Sequence, residues 1–63
     1  MKYLGTFGER RAVVAPVPHD THGTVWCVEL DGETWPERYV DAGEAMDAAE
    51  RRVGHKMAWE ARK

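Results

Sequence analysis

The side chains here with the chemistry for metal ligation or nucleophilic attack are His19, Asp20, His22, Cys27 and His55. A zinc centre needs ligands converging tetrahedrally, usually announced by paired Cys or His at fixed short spacings. The segment Pro18–Gly23 (PHDTHG) offers two histidines, and Cys27 is the lone cysteine, so no ligand pair of that kind is present. Cys27 beside a histidine would be a nucleophile pair only if something lowered the thiol's pKa. Nothing around Cys27 does so, and a chain of 63 residues has little material to wall a substrate pocket. The expectation is a non-enzymatic protein with no catalytic residue, no metal and no cofactor.

The remaining chemistry is that of contact. Trp26, Trp35, Tyr39 and Trp59 are dense for a chain of this length. Exposed aromatic side chains anchor protein interfaces or stack on nucleic-acid bases, whereas buried ones fill a core. Trp26 and Trp35 are expected in the core, and Trp59 at a partner contact or folded over a sheet edge. Arg51, Arg52 and Lys56 form a basic side suited to phosphates. However, the chain carries 11 acidic against 9 basic residues, a net charge of −2, which disfavours a strongly electrostatic nucleic-acid binder.

The element that must organise these residues is Asp41–Val53 (DAGEAMDAAERRV). Ala42, Ala45, Met46, Ala49, Val53 and Met57 recur at the spacing of one helical stripe. Asp41 is the N-cap, and Glu44 three residues on completes a capping-box pattern. Acidic residues lead and basic ones follow, as the helix dipole favours. Gly54 either caps this helix or sits inside it. Because His55–Lys63 holds good helix formers and no proline, the helix is expected to run to the chain end, about 30 Å at 1.5 Å per residue. Its tail, with Trp59, would then overhang the sheet.

Strands precede the helix. Lys2–Phe7 and Arg10–Val17 read as a hairpin through Gly8-Glu9, with Pro16 and Pro18 forcing the end of the second strand to an edge or out of the sheet. Pro18–Gly23 reads as a loop. Thr24–Leu30 alternates, with Trp26, Val28 and Leu30 on one face and Val25, Cys27 and Glu29 on the other. Asp31-Gly32 is a two-residue hairpin turn, which sets Leu30 against Glu33, Val28 against Trp35 and Trp26 against Glu37 unless Pro36 shifts the register. Residues 1–63 are thus read as a single α+β domain: a three- to four-stranded antiparallel meander with one C-terminal helix on one face, in the order β-β-β-α. The other face, bearing Val14, Val25 and Cys27, would be uncovered.

The opening MKY, the strand pair and DAGEAMDAAERRV resemble the N-terminal domain of HicB-type antitoxins, where a short meander precedes a helix opening with a T-x-E-E-A-like motif. Asp41, Glu44, Ala45 and Ala49 carry that likeness. Arm-type DNA-binding domains of tyrosine integrases are similar in their three strands and a helix with an E-A pattern, and the last strands and helix resemble double-stranded-RNA-binding domains. Each likeness covers about half the chain and implies a meander with a helix.

Small domains of this size bury little and often gain stability by association. With one cysteine, no signal-peptide pattern and no apolar run of membrane-spanning length, the expected setting is a reducing cytoplasm without membrane contact. The expected function is a protein-interaction module, an accessory or regulatory protein of the kind bacteria or their phages use. It would bind as a homodimer or to a specific protein, through Val25 and Cys27 on a sheet face, an edge strand, or the Trp59 tail. The alternative is a nucleic-acid-binding domain using the sheet or Arg51, Arg52 and Lys56.

Overall fold

The computed structural model describes all 63 residues, Met1–Lys63. The elements run β1 (Lys2–Phe7), β2 (Arg10–His19), β3 (Gly23–Leu30), β4 (Glu33–Thr34), α1 (Ala42–Val53) and β5 (Ala58–Arg62). They form one antiparallel sheet in the order β4-β3-β2-β1-β5, with α1 packed on β2 and β3. The α+β class and the meander with a helix on one face are as the sequence predicts. After the helix the chain adds a fifth strand, β5, which pairs antiparallel with the far side of β1 and forms that edge of the sheet. No helix is long and apolar enough to cross a membrane.

The core follows from alternation along the strands and the helical stripe. Ala12 and Val14 of β2, Val28 and Leu30 of β3, and Ala45 and Ala49 of α1 are buried together with Met57. Ala45 and Ala49 have no exposed surface. Their small side chains let the helix backbone approach the sheet, while Tyr3, Trp26, Trp35, Tyr39 and Met46 close the margins. Val14 therefore belongs to the helix side, a correction to its expected place on the open face. It shares a row with Val28, and its neighbours Val13 and Ala15 point the other way.

The hairpin turn Asp31-Gly32 has positive φ at both residues (51° and 86°), the type I′ geometry that matches strand twist. It sets Leu30 against Glu33 and Glu29 against Thr34, and the Trp35 N–H donates to the Val28 carbonyl at 2.9 Å. The expected Trp26–Glu37 pairing does not form. Trp26 instead exchanges two backbone bonds with Tyr39, at 2.8 and 2.9 Å, a shift of two residues. Pro36 breaks the ladder at this point, and Arg38 repairs it: one guanidinium nitrogen, Nη1, reaches the carbonyls of Trp35, Pro36 and Glu37.

β2 runs two residues beyond its expected end at Val17, through Pro16 and Pro18, and the loop shrinks to Asp20-Thr21-His22. Because Trp26 hydrogen-bonds to Tyr39, its opposite pairing with Pro16 is non-hydrogen-bonded. The ring nitrogens of Pro16 and Pro18 thus face the side where β1 has already ended, so this half of β2 is an edge and nothing is lost.

The expected continuation of the helix past Gly54 is overturned. Gly54 adopts φ 84°, ψ 18°, the left-handed cap that ends a helix, and its N–H donates to the Glu50 carbonyl at 2.7 Å. At the other end the Asp41 carboxylate accepts from the Glu44 N–H at 2.8 Å, as predicted.

Candidate functional site

Side chains able to bind or react gather in three places: the turn that reverses the chain into β5, the basic side of α1, and the sheet face opposite α1.

Glu50 builds the turn. Its carbonyl takes the N–H groups of Gly54 and His55, and its carboxylate oxygen Oε2 takes the Met57 N–H at 2.9 Å and the Trp59 indole Nε1–H at 3.1 Å. The Met57 bond first, then the indole bond, holds the Glu50 carboxyl below its ordinary value. Trp59 then lies flat over Gly5, its partner across the β1–β5 ladder, so closely that a Cβ on Gly5 would stand 2.6 Å from the ring. Trp59 is therefore folded back onto its own sheet and half-buried, and does not hang from an extended helix. Phe7 adds a second clasp by stacking on His55 at 3.9 Å between ring centres.

The basic residues of α1 are interleaved with carboxylates. Arg51 and Arg52 border a shallow groove of about 420 Å³ beneath the helix, where Trp35 and Tyr39 also lie, but Glu33 and Glu37 line the same groove. On the other flank Arg51 and Lys56 stand beside Asp47 and Glu50. Arg10 is taken by Asp31, whose carboxylate also receives the Arg11 N–H at 2.9 Å. The Arg11 and Arg10 bonds hold the Asp31 carboxyl low, and the pair staples the β1–β2 turn to the β3–β4 turn.

No group of three or more His, Cys, Asp or Glu side chains is arranged to hold a metal ion. His19 and His22 have their rings 4.9 Å apart. His19 Nδ1 is occupied by the backbone N–H groups of Thr21 and His22, so this histidine shapes the loop. Cys27 is a free thiol, half-buried in the middle of β3.

The face opposite α1 has no element packed on it. The ladder registers place Val17 beside Val25, Ala15 beside Cys27, and Val13 between Glu29 and Leu4. Leu4, Val13, Ala15, Val17 and Cys27 are half-buried by one another, and Val25 is buried, yet none joins the helix-side core. They form an apolar diagonal across three strands. Lys2, Arg11, Glu29, Glu60 and Arg62 sit around it on the same face. Val25 and Cys27 are thus brought together as expected. Leu4, Val13, Ala15 and Val17 complete the strip. The signal available for them was faint, the weak alternation of β1 together with the Gly8-Glu9 turn, which once closed sets Leu4 opposite Val13.

Compared with protein-family models, with curated proteins and with solved structures, the chain matches none. The likenesses drawn from the sequence rest on the arrangement of strands and helix.

Proposed function

We propose that this domain is a non-enzymatic protein-interaction module whose contact surface is the sheet face opposite α1. The observation that carries the reading is that the single helix covers one side of a five-stranded sheet, while Leu4, Val13, Ala15, Val17, Val25 and Cys27 lie in a continuous apolar diagonal on the other. A contiguous apolar surface with a charged rim is the anatomy of a binding face. The interleaving of Arg51, Arg52 and Lys56 with carboxylates also favours a protein partner over a phosphate backbone. A single free cysteine accords with a reducing compartment, the cytoplasm.

The test is affinity capture from an extract of the source cells by the wild-type chain and by Val13→Lys, with nuclease present and salt raised to about 0.5 M, where phosphate contacts weaken steeply. A protein retained by the wild type and lost from the variant supports the reading. A retained species that nuclease or salt removes, or one that binds the variant equally well, overturns it.

A further inference from the structure

The sheet ends on β5, whose outer edge no strand or helix covers. The ladder decides which backbone groups lie on that edge. The two-residue turn makes Phe7 and Arg10 a hydrogen-bonded pair, so by alternation Gly5 and Tyr3 also bond toward β2. Their partners on the other side are Trp59 and Ala61. The N–H and C=O groups of Trp59 and Ala61 therefore point away from β1, while those of Ala58, Glu60 and Arg62 are spent on it. No proline blocks this edge.

We propose that the β5 edge pairs antiparallel with the same edge of a second copy, about a two-fold axis through Ala61. Charge selects this register. An axis through Glu60 would set that carboxylate against its own copy, and one through Arg62 would oppose two guanidinium groups; like charges directly opposed destabilise a ladder. An axis through Trp59 would call on the Met57 N–H, which Glu50 already holds. With the axis at Ala61, Glu60 faces Arg62 of the partner subunit and the partner's Glu60 faces Arg62, in the non-hydrogen-bonded position where side chains approach most closely. Within one chain Arg62 already reaches Glu60 at 2.7 Å, and both are exposed, so the two groups share a face and can be shared across the joint. Only methyl groups meet at the axis itself. Because the axis is normal to the sheet, the two helices lie on one side. Each sits on β2 and β3, two strands or more in from the joint, and so they do not collide. The two open faces merge into one continuous face on the other side. The pairing stands independently of what binds that face.

Sedimentation equilibrium over a concentration series tests the proposal. The wild type is expected at twice the 7.2 kDa chain mass. Ala61→Pro removes an N–H that the chain's own sheet does not use, so it should give a monomer with the wild-type circular dichroism spectrum. Glu60→Arg alone and Arg62→Glu alone each turn two attractions into repulsions and should raise the dissociation constant roughly tenfold. Glu60→Arg combined with Arg62→Glu should restore it. Should Ala61→Pro fail to fold, the charge series decides. A wild type that stays monomeric throughout overturns the proposal, as does a dimer indifferent to both the proline and the charge exchanges. A dimer broken by Val13→Lys but not by Ala61→Pro would also overturn it, and would place self-association on the open face instead.

Discussion

Glu50 is the residue on which the C-terminal third of the chain turns. It ends the helix with its carbonyl and catches the returning strand with its carboxylate. Glu50→Ala removes the acceptor for two part-buried N–H groups, and urea unfolding should register a loss of about 1–3 kcal/mol. Glu50→Gln keeps an acceptor but no charge, and its comparison with the wild type isolates the charge. The folded chain holds this carboxyl below its ordinary value of 4.5, so the unfolded chain binds more protons there. The stabilisation is therefore complete above that ordinary value and is lost as pH falls through the lowered one. The wild-type advantage over Glu50→Gln should be constant near neutrality and shrink in acid below pH 4.5. An advantage unchanged into strong acid would remove the charge from the account. Asp31, held low by Arg11 and Arg10, adds to the same acid sensitivity in the range below 3.8.

At the scale of elements, the fate of the last ten residues was decided by handedness and tertiary contact over propensity. Met57, Ala58, Trp59, Glu60, Ala61 and Arg62 are acceptable helix formers, and nothing local forbids a helix through them. Gly54 takes the left-handed conformation, and an alanine there would strain the cap by about 1–2 kcal/mol. The chain then finds Gly5, whose missing side chain leaves a seat for the Trp59 indole. Gly5→Ala pushes a methyl into that ring, and thermal unfolding should report a loss of about 1–3 kcal/mol. In a Trp59→Ala background the same substitution should be harmless, because the seat is empty; a full loss in both backgrounds would mean the indole does not rest there. Such a long-range seat is invisible in sequence, since Gly5 and Trp59 are far apart and neither is unusual alone. What depends on neighbours was legible. Asp41 caps, Asp31-Gly32 turns, Val28 and Leu30 face inward, and Val25 with Cys27 face outward. The strip was only half legible, because Leu4 and Val17 join it through ladder registers that the proline pair and the weak alternation of β1 obscured.

The molecule as a whole is two-sided, and the two sides should answer the same insult differently. Val13 and Val14 are adjacent in β2 but lie on opposite faces, the first half-buried on the open side and the second fully buried under α1. Val14→Lys places a charge among Val28, Ala45 and Ala49 with no partner, a penalty of several kcal/mol against a domain whose core supplies only about 3–5 kcal/mol. That variant should be unfolded at room temperature by circular dichroism. Val13→Lys can send its ammonium into water along the rim, losing packing with Leu4 and some strand preference, about 1 kcal/mol or less. It should stay folded, with a melting temperature a few degrees lower, about 4–8 °C per kcal/mol for a domain of this size. If Val13→Lys unfolds the chain as Val14→Lys does, the open face is part of the monomer's own core and the sheet is not a binding surface. If it stays folded, the domain keeps an apolar face that its own stability does not need, and that surplus is what a partner would use.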